Sequence, residues 1–338
     1  MKTVVLGTGR MGRRHIQVVR EMGLDLVGIC DPNQESLLLA QKEQAVPSEL
    51  HYTNAQDLIR EKIPECVVVA STAPSHREYT EFAASMGAKY ILCEKPMSIS
   101  LADCDAMIET CKKYGAHLAV NHQMRFMEQY TEPKKLLQTE DLGGLSSITV
   151  VAGNFGMAMN GSHYFEMFRY MTDESPKSVS AWFSEGRVPN PRGAEFEDRA
   201  GSIRLVSNSE KRFYMETSAD QGHGIQVIYA AKYGQIIVDE LAGKMRMIYR
   251  EEQYRQLPTT RYGMPAVISE SHIKPADAIA PSRAVLESLL SGSDHPTGED
   301  GRLAVSVLVA AYVSNENDHK SVDLEAMSAY RQRVFPWA

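Results

Sequence analysis

The sequence contains no apolar run near the roughly twenty residues a membrane-crossing helix needs, which excludes a helical membrane protein. It also lacks a basic excess. Thirty-six Lys and Arg against 43 Asp and Glu leave a formal net charge of −7 over 338 residues, arguing against a general nucleic-acid or anionic-membrane binder. Cysteine is sparse: Cys30, Cys66, Cys93, Cys104 and Cys111 all lie in the first third, and none forms a C-x-x-C pair. They read as reduced thiols serving as small core residues rather than as a disulfide framework, metal site or redox pair. The first residues show no basic region, hydrophobic segment and small-residue cleavage site in series, so the expected location is cytoplasmic. No internal repeat or low-complexity tract stands out. The remaining composition, 43% hydrophobic and 23% charged, is ordinary for a globular protein long enough for two domains.

The strongest pattern present is at the start. The apolar run Val4-Val5-Leu6 breaks at Gly7-Thr8-Gly9-Arg10-Met11-Gly12, spaced G-x-G-x-x-G, and an amphipathic segment follows at once. Gly7 permits a tight strand-to-helix turn, Gly9 lets backbone approach a pyrophosphate, and Gly12 lets the helix sit close on the sheet. The free N–H groups and dipole at the helix start favour phosphate. A second apolar run ends at Asp31, placed to accept hydrogen bonds from the hydroxyls of an adenosine ribose. An acid there repels a 2′-phosphate, so NAD is expected over NADP. Arg10, Arg13 and Arg14 keep NADP as the lesser alternative.

Strand-like and helix-like segments alternate through the first 120 residues, with buried runs at Cys66-Val67-Val68-Val69, Tyr90-Ile91-Leu92-Cys93 and His117-Leu118-Ala119-Val120. Continuous apolar strands of this kind suit a parallel sheet covered on both faces. The βαβ alternation predicts a doubly wound sheet binding ligands outside its strands' carboxyl ends. After Asn121 the rhythm changes. Residues 122–140 read as mostly helical, and strand candidates then follow one another with apolar–polar alternation, as in Phe213 and Met215 against Tyr214 and Glu216. That describes an open, mostly antiparallel sheet with one face on a core. The expected division is residues 1–121 as the Rossmann domain and 122–338 as the second, α/β domain, whose last helices can pack back on the first. Residues 187–199, with two prolines and mixed charge, read as an exposed loop, and so do residues 256–278.

Two further stretches could carry chemistry. Glu94-Lys95-Pro96 follows a buried strand, where a lysine can hold a substrate oxygen and stabilise its developing negative charge. Pro96 would fix the backbone, and Glu94 could be the lysine's ion-pair partner. Asn160-Gly161-Ser162-His163 precedes the aromatic segment beginning at Tyr164, and the helix dipole would keep a histidine there available as a base. Each alone also admits a structural reading: a glycine-rich loop, a surface salt bridge, a hydrogen-bonded helix histidine. His76 and His122 admit both readings as well.

The order of these signals, with Thr297-Gly298-Glu299-Asp300-Gly301 and the segment ending Ala310-Ala311-Tyr312-Val313-Ser314, resembles the Gfo/Idh/MocA oxidoreductases. The resemblance runs nearly the length of the chain. It implies a Rossmann domain followed by a large, mostly antiparallel sheet whose outer face makes homodimers or homotetramers. It also implies hydride transfer between NAD and a hydroxyl or keto carbon of a sugar, sugar derivative or polyol. By that resemblance Lys95 is the catalytic lysine and His163 the acid/base. Gly7, Gly9, Arg10, Met11, Gly12 and Asp31 hold the adenosine and pyrophosphate, while Thr72, Ala73, Pro74, His76, Glu94, Lys95 and Gln123 line the rest of the cofactor. Arg125, Asn154, Asn160 and Tyr164 join Lys95 and His163 as candidate substrate contacts, and no metal is expected. One departure matters: many members place an aspartate four positions before the histidine, where this chain has Met159. Two other readings follow from that departure: a cofactor-binding protein with little dehydrogenase activity, or an enzyme using NAD transiently for elimination or epimerisation.

Overall fold

The computed structural model describes residues 1–258 and 265–338. The chain opens with β1 (Lys2–Leu6), α1 (Arg10–Glu21), β2 (Asp25–Cys30), α2 (Gln34–Gln44) and the two-residue β3 (His51–Tyr52). Then come α3 (Ala55–Lys62), β4 (Cys66–Val69), α4 (Ala73–Ser85), β5 (Tyr90–Cys93), α5 (Leu101–Tyr114) and β6 (His117–Val120). These six strands form one all-parallel sheet in the order β3-β2-β1-β4-β5-β6, the doubly wound arrangement expected from the sequence. β1, β4 and β5 are buried along nearly their whole length because helices cover both faces.

After a short 3-10 turn (Gln123–Phe126), α6 (Glu128–Leu137) leads to β7 (Leu145–Gly153) and α7 (Ser162–Thr172). Strands β8 (Pro176–Arg187), β9 (Arg199–Ser207), β10 (Arg212–Ser218), β11 (Gln226–Ala231), β12 (Gly234–Asp239) and β13 (Lys244–Arg250) follow. The chain closes with β14 (Ala266–His272), α8 (Ile279–Ser291), α9 (Gly298–Glu316) and β15 (Val322–Asp323). Strands β7 to β15 make a second sheet in the order β14-β13-β12-β11-β7-β10-β9-β8-β15, antiparallel except for the β7–β10 pair. Its inner face is apolar: Ile148, Val150, Phe213, Met215, Leu205, Val227 and Val238 are buried in one cluster that also takes in residues of α7 and α9. The register sets Ser180, Arg204, Tyr214, Thr149, Ile228, Ile237 and Arg246 in one row on the opposite face.

α9 is buried all round from Ala304 to Ser314, which suits its apolar sequence there, and it packs on α5, α7, β6 and β8. Its start is fixed by a capping box in which Thr297 and Asp300 satisfy each other's backbone N–H groups. α8 returns to the first sheet, where Val285, Leu286 and Leu289 join Val5, Ile16, Ile29 and Val68 in one cluster. All five cysteines are free and buried, and burial pushes Cys66 up to about 12, leaving it an inert core thiol.

Two readings of the second half need correction. Residues 266–272 are not loop: β14 pairs along its length with β13. It is an edge strand exposed at every position, so no buried face leaves a period-two signal in the sequence. Residues 259–264, in the same expected loop, lie outside the described residues. The stretch 187–199 is a connection but not simply an exposed one, since Val188 and Asp198 are buried within it. The C-terminal tail covers it: Glu197 N–H donates to Pro336 O at 2.7 Å, and fully buried Trp337 stacks on Phe335 at 4.5 Å.

Candidate active site at the strand ends

The β1–α1 turn is built on its glycines. Gly7 has φ +92°, and a Cβ there would run into the Ala70–Ser71 backbone. A Cβ on Gly12 would overlap the carbonyl oxygen of Gly7, so helix and turn can approach this closely only without a side chain. Gly9 differs, because nothing of the protein lies within 4 Å of where its Cβ would be. That open cradle beside the N-terminus of α1 fits a pyrophosphate. Asp31 closes the site from β2: its Oδ2 accepts the Thr8 N–H at 2.8 Å and its Oδ1 accepts the Asn33 N–H at 2.9 Å. Arg13 is committed to Glu43 at 2.6 Å and to the Thr8 carbonyl at 3.0 Å. Arg10 stays exposed.

We expect the last two glycines to separate fold from cofactor affinity. Gly9→Ala keeps the wild-type Tm but raises the Kd for NAD roughly tenfold or more, measured by calorimetry. Gly12→Ala lowers both Tm and affinity.

On the β4 side, Thr72 is the N-cap position of α4, and the helix takes in Ala73 and Pro74 in its first turn. Proline is well accommodated in a first helical turn. His76 is buried with its ring nitrogens 3.2 Å from Met97 O and 3.1 Å from Ser71 O, and burial lowers its pKa.

Glu94 does not hold the Lys95 ammonium, as the sequence suggested it could. Its Oε1 sits 2.7 Å from His15 Nε2 on α1 and accepts from Asn121 Nδ2 at 2.8 Å. Burial pushes Glu94 up, but the His15 bond and charge, the Lys95 charge and the Asn121 amide outweigh it and hold the carboxyl at about 2. An ionised Glu94 therefore requires His15 to donate from Nε2. Lys95, 8% exposed and joined to Pro96 by a cis peptide, reaches across to α7's approach, where Nζ donates to Met159 O. Burial and the charge of Arg192 bring its pKa down to about 8, so it stays mainly an ammonium at neutral pH.

The turn before α7, Met157–Gly161, is a π-helical segment. His163 follows it, buried, with its ring set edge-on to His122 at 5.6 Å between centroids. Burial, the Lys95 charge and His122 together hold His163 well below the ordinary imidazole range. Burial and Lys95 likewise bring His122 down to about 3. Both rings are neutral at pH 7. Among the described residues, both nitrogens of His122, Nδ1 of His163, Oε1 of Gln123 and Oγ of Ser162 are buried without a hydrogen-bond partner. Such a concentration of unsatisfied polar atoms beside an ammonium marks a ligand-binding place.

The other expected substrate contacts fare differently. Arg125 is buried against Glu166 at 3.4 Å, Asp300 at 3.7 Å and Asp294, tying the 3-10 turn to α7 and α9. Tyr164 is buried, donates to Glu240 Oε2 at 2.8 Å and stacks on Phe155. Both side chains are thus occupied with structural partners. Asn154 is exposed beyond β7 at φ +58°, its N–H donating to Ser218 O. Asn160, in the π-helical segment, is half-buried.

Two charged groups were missed by sequence reasoning. Asp198 is 1% exposed and accepts the N–H groups of Ala158 at 2.8 Å and Met159 at 3.2 Å. Arg192 is half-buried, carries its charge to Lys95 and donates to the Ala338 carbonyl oxygen. The aromatic tail Phe335-Pro336-Trp337 was the available signal that something apolar covers this connection.

A parallel sheet of this order and a glycine turn answered by Asp31 define a dinucleotide-binding fold. Residues 1–122 match the Gfo/Idh/MocA family model described as "Oxidoreductase family, NAD-binding Rossmann fold". The chain is similar to an inositol 2-dehydrogenase of Klebsiella pneumoniae, 25% identical over 225 residues, which cover 60% of this chain and 65% of that protein. The match thus spans slightly less than two thirds of that relative's length. A myo-inositol 2-dehydrogenase of Thermotoga maritima is 23% identical over 96% of this chain and 99% of its own length. The fold matches an oxidoreductase from Agrobacterium radiobacter, crystallised with NAD+, L-tartaric acid and magnesium, at TM-score 0.78 and 20% identity, covering 97% and 99% of the two chains.

Proposed function

We propose that the chain is an NAD-dependent oxidoreductase acting on a hydroxyl- or keto-bearing carbon of a sugar, sugar derivative or polyol. The observation that carries this reading is the meeting of the Lys95 ammonium with the neutral, unsatisfied His163–His122 pair. The names of the inositol dehydrogenase relatives support the substrate class. Gly7, Gly9, Gly12 and Asp31 would hold the adenosine and pyrophosphate, with Thr72, His76, Glu94 and Gln123 toward the nicotinamide. Bound there, the nicotinamide would supply a hydride acceptor or donor at the substrate carbon.

The protein's own groups do the rest. His163, kept neutral by burial and by the Lys95 charge, takes the proton of the substrate hydroxyl. The Lys95 ammonium stabilises the oxygen as it becomes negative, in a buried setting where that interaction is strong. Glu94 fixes the strand end before Lys95 through His15 and Asn121. Holding both reactants in one cleft supplies the orientation the step needs.

The test is NADH absorbance with inositols, aldoses, amino sugars and nucleotide sugars as oxidisable substrates. Formation of NADH from at least one is the expected outcome. Tight NAD binding by calorimetry with no NADH from any member would sink the dehydrogenase reading and favour a cofactor-binding protein.

A further inference from the structure

The place where related sequences carry an aspartate holds Met159, yet the site does not lack a carboxylate. Asp198, forty residues downstream of Ala158, enters from the β8–β9 connection and accepts the N–H groups of Ala158 and Met159 on its two oxygens. The same residue 159 offers its carbonyl oxygen to Lys95 Nζ. One segment of backbone is therefore clamped by a carboxylate on its N–H side and by the ammonium on its C=O side. Gly156 makes room for this: a Cβ there would overlap the Asp198 carboxylate. The packing of the tail on the connection, through Glu197 N–H and Pro336 O at 2.7 Å, holds Asp198 in place.

We propose that Asp198 is a positioning residue that sets the place and the charge of Lys95 through the 158–159 backbone, standing in for the carboxylate absent at Met159. This rests on the reading of Lys95 as the oxyanion-stabilising group. Asp198 acts in two ways. Its two accepted hydrogen bonds orient the carbonyl that receives Nζ, and its negative charge favours the protonated lysine against burial and the Arg192 charge. The groups facing Lys95 are Arg10 from α1, Glu94 beside it, His122 after β6, His163 from α7, and Arg192 and Asp198 from the connection. Only Glu94 and Asp198 favour the ammonium among these, and Glu94 is already bound to His15 and Asn121. Asp198 itself is held up at about 6 by burial, against the pull of the two N–H groups, Lys95 and Arg192. Within the weakly acidic range its charge can change while Lys95 stays protonated.

The experiment is a pH titration of the Lys95 side-chain resonance in lysine-labelled protein without cofactor or substrate, assigned by its loss in Lys95→Arg. The wild type should show its main inflection near 8 and a smaller one near 6, as Lys95 and Asp198 titrate. Asp198→Asn should lose the smaller inflection and move the main one down by roughly half a pH unit or more. Its amide has one acceptor oxygen where two N–H groups now bind. Gly156→Ala, which displaces the carboxylate without removing it, should move the main inflection the same way. A single wild-type inflection, or a folded Asp198→Asn whose Lys95 curve superposes on the wild type, overturns the proposal. If Asp198→Asn does not fold, the wild-type curve alone decides. The readout needs no turnover, so failure of the dehydrogenase reading and failure of this one are separately visible.

Discussion

Replacing Lys95 by alanine should lower kcat by roughly 10³-fold while NAD affinity stays within about threefold of the wild type. The argument is local. Lys95 stands beyond the end of β5, buried to 8% exposure, and its Nζ donates to the Met159 carbonyl. Truncation removes a desolvated charge whose role appears only as the substrate oxygen becomes negative, so the loss falls on the chemical step. The adenosine and pyrophosphate contacts belong to the Gly7–Gly12 turn and Asp31, on other strand ends, so binding should survive. Lys95→Arg provides a second check. The wild-type lysine gives up its proton at about 8, so activity should fall as pH rises through that value. An arginine retains its charge there, so the variant should show low activity without the alkaline fall. A Lys95→Ala enzyme with wild-type kcat, or a Lys95→Arg profile that still falls near pH 8, would remove lysine from the mechanism.

Much of this architecture can be read directly from residues 1–120. Strands covered on both faces leave continuous apolar runs, so Val4 to Leu6, Cys66 to Val69 and Tyr90 to Cys93 announce themselves. The glycine turn is equally legible, because Gly7 and Gly12 meet steric demands that no other residue satisfies and Gly9 leaves the cradle between them open. What fails is whatever depends on a distant partner. His51–Tyr52 is too short to show a period, and β14 has no buried face to show one. Glu94 looks like a partner for the neighbouring lysine, but its hydrogen bonds go to His15 and Asn121, 79 and 27 positions away. Asp198 is hidden for the same reason. A charged residue in a mixed-charge stretch that follows two prolines reads as solvent-exposed, and only the aromatic tail brought over it by the fold makes it a buried group beside the lysine. Arg125 fails in the opposite direction: it looks available to a substrate, but three carboxylates occupy it.

His163→Ala should lower kcat by roughly 10²- to 10³-fold at neutral pH. In the wild type the ring is neutral because burial, the Lys95 charge and His122 all oppose its protonation. The base form is the active one. Activity should therefore persist as pH falls through the ordinary imidazole range near 6.5 and decline only below it. A histidine in open water would lose activity about where it normally titrates, so the displaced acid limb reports burial of this ring. In His163→Ala that limb should vanish, and the residual rate should climb with pH because hydroxide then takes the substrate proton. His122 offers the contrast. Its pKa is also low, at about 3, and its ring meets His163 edge-on at 5.6 Å. It should contribute mainly by excluding water from its neighbour, so His122→Phe should cost less than His163→Ala and leave the hydroxide dependence absent. A His163→Ala enzyme that keeps the wild-type pH profile at any rate would place the proton acceptor elsewhere.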